Sequence, residues 1–267
     1  MFAQIQKILP QHLLSRLVGW VASSRQRNIK TWFINWAIKR YDVDMSQAAE
    51  PNPNAYASFN DFFTRALKVG ARPIAGEFCS PADGEVSQLG PVENDKLIQA
   101  KGVNYRLDQL LGKTDVSAYK NGSFVTIYLS PKDYHRVHSP VSGSLNCARY
   151  IPGRLFSVNQ QTTEAIPDLF AINERLVMEF DTEQGPVSVV MVGAMIVAGI
   201  QPVWRDESYA PKIHQEDPMN IEFSAGDELG RFLMGSTAIV ISSTKLDFDH
   251  QAGDIVQMGI SLVSENP

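Results

Sequence analysis

The sequence is poor in cysteine and lacks long apolar runs. Its two cysteines among 267 residues, Cys79 and Cys147, are too few for a disulfide framework or a tetrahedral zinc site. We therefore expect a reducing compartment. Pro10, Gln11 and His12 interrupt the early apolar stretch that a secretory signal would need. The run from residue 17 to residue 22 is far too short to span a bilayer, so a membrane contact would lie on the surface.

Acidic residues are absent from residues 1–41, which contain seven lysines and arginines. This segment has a charge of +7, and because the whole chain has a net charge of -5, the remainder carries -12. Such a division favours a basic segment that meets an anionic surface.

The basic segment also has the spacing of amphipathic helices. Apolar residues recur at steps of three and four, at Ile5, Ile8, Leu9, Leu13, Leu17 and Trp20. A second run follows at residues 32–37, and three of the four tryptophans lie in this segment. Because tryptophan favours the membrane–water interface, we predict interfacial helices. The alternative is a helical pair that packs on its own domain with tryptophan in the core.

Beyond a polar connector at residues 42–57, the pattern predicts a short capped helix at Ser58–Arg65 and then β-structure from Pro73 onward. Predicted strands cover Ser123–Leu129, Val187–Ile200, Ala238–Ile241 and Ile255–Val263. The predicted fold class is α+β, with N-terminal amphipathic helices followed by a β-rich, mainly antiparallel catalytic domain. We place the helical, membrane-associating region at residues 1–66 and the catalytic domain at residues 67–267.

Ser236 lies between Gly235 and Thr237 at the mouth of an apolar strand. A conventional serine hydrolase is not favoured, because no Gly-x-Ser-x-Gly elbow surrounds this serine. A preceding glycine instead leaves its carbonyl carbon open to attack by the serine oxygen. Asp83 and His138, both near turns, are candidates to orient and to act as the base. Residue types alone leave a surface serine and a turn aspartate as the simpler interpretation.

His135 and His138 form an H-x-x-H pair, whose side chains face opposite sides on a strand and the same side on a helix. A metal site would need a third ligand, and neither Cys147 nor residues 247–250 offer a recognisable spacing. We expect no metal and assign the two histidines separate roles.

These residues belong to blocks that resemble the bacterial, membrane-associated phosphatidylserine decarboxylase family over nearly the whole chain. Met234 stands where the family usually has leucine, which is nearly a volume-conserving change. The blocks occur in the family's order, at Ser58–Arg65, Ser80–Gly90, Leu97–Tyr105, Phe124–Pro140, Tyr150–Asn159, Asn173–Arg175 and Gly226–Thr237.

The resemblance implies a proenzyme that cleaves itself. Asp83 would orient His138, which deprotonates Ser236 for attack on the Gly235 carbonyl. The products would be a β chain of residues 1–235 and an α chain of residues 236–267, with Ser236 converted to a covalent pyruvoyl group. This group would form a Schiff base with phosphatidylserine, and His135 would transfer a proton during decarboxylation to phosphatidylethanolamine.

The resemblance also implies peripheral attachment to the cytoplasmic face of the bacterial inner membrane, on an anionic surface that contains phosphatidylserine. Homodimers of αβ units are expected, and nucleic acid is not expected as a partner. Two other functions remain open. A lipid-acting serine hydrolase would use the same three residues in an unbroken chain. A non-catalytic membrane adaptor would have a Ser80–Gly84 turn that only resembles the hairpin of carrier domains.

Overall fold

A computed structural model describes Gln6 and residues 10–100, 102–195, 199–209, 213–233 and 236–264. The chain enters through helices α1 (Gln11–Ala22) and α2 (Arg27–Tyr41), a 3-10 turn (Pro53–Ala55) and a short helix α3 (Phe59–Phe63). Later short helices are α4 (Leu107–Leu111), α5 (Gln160–Ala165) and α6 (Leu169–Ile172), with a further 3-10 turn at Ser117–Tyr119. The strands are β1 (Gly84–Pro91), β2 (Lys96–Ala100), β3 (Val103–Arg106), β4 (Ser123–Leu129), β5 (Arg136–His138), β6 (Gly143–Ile151), β7 (Arg175–Asp181), β8 (Val187–Gly193), β9 (Ile200–Pro202), β10 (Gln215–Phe223), β11 (Glu228–Phe232), β12 (Ser236–Ser242) and β13 (Ile255–Val256).

The large sheet has the order β10-β6-β7-β8-β12-β4-β1-β13, and its paired strands are antiparallel. Every residue of the central strand β12 is buried, because both faces of the sheet are covered. Ala238 and Val240 belong to a hydrophobic core on one face, whereas Ile239 and Ile241 belong to a core on the other. A small sheet, β5-β11-β9, and the hairpin β2-β3 complete the described strands.

Helix α1 exposes its large apolar side chains and buries small and polar ones, whereas most surface helices do the opposite. It buries Gln11, Ser15, Gly19 and Ala22, whereas Leu13, Leu17 and Trp20 are 54%, 56% and 77% exposed. The exposed face confirms the predicted stripe at those three positions, while Ile5, Ile8 and Leu9 lie outside the described residues.

Helix α2 packs more conventionally, through Ile34 and Ala37, onto the phenylalanines of α3. Its Trp32 is nevertheless 67% exposed. With Trp20 also at the surface, the alternative in which these tryptophans form a domain core is wrong. Within the described part of the chain, no helix is long and apolar enough to cross a membrane.

The α+β prediction is confirmed, and so is the capped helix: the Ser58 side chain accepts a hydrogen bond from the Asp61 backbone N–H. The predicted strand at residues 187–200 is divided into β8 and β9. The prediction for residues 255–263 is mostly wrong, because β13 ends at Val256 and the chain turns at Gly259, whose φ is +92°. The division at residue 66 stays a prediction.

Candidate active site

Ser236 is the first residue of β12 and is fully buried. It pairs with Leu129 of β4 and with Gly193 of β8. Alternation along the strand places its side chain on the same face as Ala238 and Val240. Its Oγ atom has no hydrogen-bond partner. A buried hydroxyl without a partner costs free energy, and Ser236 shares this feature with its neighbour Thr237.

The small sheet connects the two histidines to Ser236. His138 ends β5, where it pairs with Glu228 of β11, and the Phe232 N–H donates to the His135 carbonyl at 3.0 Å. Strand β11 ends at Phe232, and residues 233–235 lead directly into β12. Gly235 itself lies outside the described residues. Phe232, whose N–H contacts the His135 backbone, therefore lies four residues before Ser236, the predicted nucleophile.

His138 is held as a neutral imidazole. Its Nδ1 lies 2.7 Å from the Gly226 carbonyl and its Nε2 lies 3.0 Å from the Tyr134 hydroxyl. A carbonyl can only accept, so Nδ1 carries the proton and Nε2 accepts from tyrosine. Burial lowers the pKa of His138, and the Gly226 carbonyl and the charges of Glu228 and Asp83 partly offset this. The basic nitrogen of His138 is therefore Nε2.

His135 has different surroundings. Its Nδ1 donates to the Asp133 carbonyl at 2.8 Å, and its ring lies 3.9 Å from the Phe63 ring, measured between centroids. Its Nε2 is buried without a hydrogen-bond partner. Complete burial is the main reason that the pKa of His135 falls to about 3, and the nearby Arg65 charge acts in the same direction. His135 is thus a neutral base with an unoccupied nitrogen.

Asp83 binds Arg72 through both carboxylate oxygens and also accepts from the Met258 N–H at 2.8 Å. Its turn is attached to the histidine strand, because the His138 N–H donates to the Pro81 carbonyl at 2.8 Å. The hydrogen bonds of the described residues do not join Asp83 to His138, whose ring nitrogens have other partners. The orienting role of Asp83 stays a prediction.

Sequence reasoning missed several residues of this site. Tyr134 lies in the block Phe124–Pro140 and Gly226 begins the block Gly226–Thr237, but the sequence assigned neither of them a role. Arg72, which holds Asp83, carried no signal at all. Glu174 was noted only as part of a block, although it is 6% exposed and burial raises the pKa of its carboxyl group.

A cavity of about 490 Å³ reaches this region from the N-terminal helices. Arg16, Gly19 and Trp20 of α1 line one side, and Leu155, Glu174 and Leu233 line the other. The Leu233 N–H donates to the Gly199 carbonyl at 3.1 Å, so the cavity ends beside the chain that leads into Ser236. A larger, more open cleft of about 900 Å³ lies elsewhere and contains none of the predicted site residues.

Acid, thiol and imidazole side chains do not gather into a metal-binding group of three in the described ranges. Fold and site together define an α+β protein with a buried serine that opens a core strand and two neutral histidines on an adjoining sheet. A family model described as phosphatidylserine decarboxylase matches residues 59–264, and one described as PSD matches residues 1–42. The chain belongs to the phosphatidylserine decarboxylase family.

Curated relatives extend the similarity over the whole length. A phosphatidylserine decarboxylase proenzyme from Pseudomonas fluorescens is 50% identical, with 100% of this chain and 98% of the relative aligned. A protein of the same name from Saccharophagus degradans is 50% identical over 97% of this chain and 95% of its own length. Another Pseudomonas fluorescens strain has a proenzyme of that name that is 51% identical over 97% of this chain and 96% of the relative.

Proposed function

We propose that this protein is a phosphatidylserine decarboxylase that makes a pyruvoyl group by cleaving itself between Gly235 and Ser236. The observation that carries the proposal is the Ser236 Oγ, which is buried without a partner at the first residue of a core strand. The buried Ser188 hydroxyl has a partner in Tyr119, whereas those of Ser236 and Thr237 have none, and of these two only Ser236 follows a glycine. Membership of a family whose relatives are named proenzymes supports the same conclusion.

In the cleavage, the Ser236 Oγ attacks the Gly235 carbonyl carbon while His138 Nε2, released from the Tyr134 hydroxyl, accepts the hydroxyl proton. The amide becomes an ester, and β-elimination releases residues 1–235. The dehydroalanine left at residue 236 then takes up water and loses ammonia, which gives the pyruvoyl group. The Gly226 carbonyl keeps His138 in the tautomer that this step needs, and Asp83 favours the protonated ring electrostatically.

The surroundings of residue 236 fit a pyruvoyl group. Its Oγ has no partner to lose, and its strand neighbour Gly193 contributes no side chain. When present, the pyruvoyl carbonyl would condense with the substrate amine and withdraw the electrons that the departing carboxylate leaves behind. His135 Nε2, which is unoccupied, would first take up a proton from water and then deliver it to the carbon that the carboxylate leaves.

The cavity beside α1 is the proposed entry for the lipid. Trp20 lines it and is also part of the exposed apolar face of α1, so the opening lies next to that face. Placed at a bilayer, these side chains would sit among the headgroups, and each basic residue near anionic lipid would add about 1 kcal/mol. Peripheral attachment to the cytoplasmic face of the inner membrane and homodimers of processed units complete the proposal.

Mass spectrometry under denaturing conditions tests the cleavage. Wild-type protein should give residues 1–235 and a fragment 236–267 that begins with pyruvoyl, whereas Ser236→Ala and His138→Gln should stay intact. Ser242→Ala, a buried serine at the other end of β12, should be cleaved normally. An intact wild-type chain with full decarboxylase activity would contradict the proposal. A serine-directed phosphonate on Ser236 of an unbroken chain would indicate the hydrolase alternative.

A further inference from the structure

We propose that Glu174 is a catalytic residue, whose carboxylate binds the ammonium group of the substrate beside residue 236 and accepts one of its protons. This inference rests on the proposed decarboxylase function and adds a residue to it. It begins from a buried carboxyl group that the cleavage chemistry does not use.

The register of the large sheet places Glu174 opposite the nucleophile. Ser236 pairs with Gly193, and the Gly193 N–H donates to the Glu174 carbonyl at 2.8 Å. Residues directly opposite one another on paired strands project from the same face. A Cβ built on Gly193 would lie 3.9 Å from the Glu174 Cβ, which confirms the shared face. Gly193 itself contributes no side chain between Glu174 and residue 236, and the Leu155 Cδ2 lies 3.7 Å from the position that its Cβ would take.

Glu174 is also part of the lining of the cavity that leads from α1. It is 6% exposed, and the ion pairs found among the described residues do not include it. A buried carboxylate without a cation is unstable, so it either takes up a proton or binds a cation. The ammonium group of a lipid in the cavity would supply the missing positive charge.

The other ionisable groups near Glu174 do not supply that charge. Tyr150 faces the carboxyl from β6, and its hydroxyl acts to lower the pKa of Glu174 but brings no positive charge. The Arg175 guanidinium donates to the carbonyls of Gln109 and Leu110 and is therefore engaged elsewhere. The remaining ionisable side chains of the cavity are His12 and Arg16 on α1 and Tyr209 on the opposite wall.

Arg16 and His12 lie on the α1 side of the cavity, whereas Glu174 lies against the sheet, so the two ends differ in charge. A headgroup with a phosphodiester and an ammonium group matches this polarity, with its amine toward residue 236. The ammonium nitrogen has no lone pair and must lose a proton before it can bond to a carbonyl carbon. Glu174 would take that proton and later return it to the carbonyl oxygen, which leaves as water once it has also received a second proton from the attacking nitrogen. A carboxyl whose pKa is raised by burial is better matched to this exchange near neutral pH.

The test separates proton removal from other roles by using two amines. Processed wild-type and Glu174→Gln proteins are mixed with phosphatidylserine in detergent micelles and cyanoborohydride, and the mass of the 236–267 chain reports the trapped adduct. Parallel samples receive methoxyamine, whose nitrogen is unprotonated at neutral pH and needs no base. In Glu174→Gln, the adduct with phosphatidylserine should form at least about 100-fold more slowly, whereas the adduct with methoxyamine should form at the wild-type rate.

Glu222→Gln is the matched control, because it makes the same carboxylate-to-amide change at an exposed residue of β10 outside the cavity; both rates should stay within about threefold of wild type. Equal rates with phosphatidylserine in wild type and Glu174→Gln would overturn the proposal. Equal slowing with both amines, or loss of self-cleavage in Glu174→Gln, would also overturn it by assigning the residue a structural or processing role. If wild-type protein formed no methoxyamine adduct, the pyruvoyl group itself would be absent and the proposed function would fail.

Discussion

Helix α1 and the Ser236 end of the large sheet depart from ordinary packing in opposite ways. The helix exposes Leu17 and Trp20 while burying Gln11. The region around the start of β12 instead buries polar atoms without partners, at the Ser236 Oγ and at the Nε2 of His135, which precedes β5. Contiguous exposed apolar surface and unpaired buried polar groups both cost free energy in a water-soluble fold. Each departure therefore indicates a partner, but of a different kind.

The exposed apolar face of α1 indicates an extended apolar partner. The unpartnered polar atoms in the interior indicate a small polar ligand or a covalent change. Helix α1 connects the two, because its polar side is attached to the catalytic region. The Gln11 side chain accepts from the Leu155 N–H at 2.9 Å, and Leu155 lines the cavity beside Glu174. The same helix thus turns its apolar side chains outward and closes one wall of the cavity.

The largest expected effect comes from removing the ion pair between Arg72 and Asp83. Its guanidinium donates to Gln47, in the segment after α2, and to Asp83, in the catalytic region. Arg72→Gln leaves Asp83 buried without a cation, so we expect the free energy of unfolding to fall by about 3 kcal/mol. Urea unfolding of the uncut Ser236→Ala protein, with and without the change, measures it.

Arg106→Gln is the control for Arg72, because the Arg106–Asp108 pair is solvent-exposed and should change the free energy of unfolding little. If both changes lowered the free energy of unfolding equally, the buried Arg72–Asp83 pair would contribute no more stability than an exposed ion pair.

The second expected effect is a fall in the free energy of unfolding at acidic pH, caused by the buried His135. His135 has a pKa of about 3 when folded, against about 6.5 when unfolded, so its contribution to stability is complete above pH 6.5. As the pH falls below that value, the unfolded chain takes up the proton first and unfolding is favoured. Between about pH 6 and about pH 4, this group alone should lower the free energy of unfolding by about 2.5 kcal/mol.

His135→Gln in the Ser236→Ala protein should lack this component, and urea unfolding at the two pH values gives the difference. Comparing the two proteins cancels other titrating groups, such as Glu174, whose raised pKa acts in the opposite direction as the pH falls. Identical pH dependence in both would show that His135 is not held neutral by the core.

Local patterns predicted much of the fold. Strand β4 coincides with the predicted Ser123–Leu129, because alternating apolar residues between turns determine a strand locally. The Ser58 cap and the outward face of α1 also depend on neighbours within a few positions. Strand β13 was overpredicted, because an apolar run alone does not show where a chain turns.

Most of the site depends on contacts that local patterns cannot contain. Gly226 and His138 are 88 positions apart, and Asp83 and Met258 are 175 apart. Residue types near turns named Asp83, His138 and Ser236 as candidates, and the family resemblance supplied their roles and that of His135. Arg72 and Tyr134 lie only 11 and 4 positions from Asp83 and His138, but no sequence pattern marks these contacts. Glu174 emerged only from the register of the sheet.

The smallest expected effect concerns the exposed face of α1. Leu13→Gln together with Leu17→Gln should weaken binding to vesicles that contain anionic, non-substrate lipid by about 30-fold, which corresponds to about 2 kcal/mol of lost apolar burial. Self-cleavage and activity toward detergent-dispersed phosphatidylserine should remain, because both leucines are more than half exposed and neither lines the cavity. Cosedimentation with the vesicles measures the change.

Val69→Gln is the matched control, since this valine is fully exposed but lies outside the N-terminal helices. It should bind vesicles as wild type does. If both proteins bound equally well, the apolar face of α1 would not be the membrane contact, and the basic charge of residues 1–41 would have to account for binding alone. Raising the salt concentration would then release the protein, because interactions between exposed charges are screened whereas apolar burial is not.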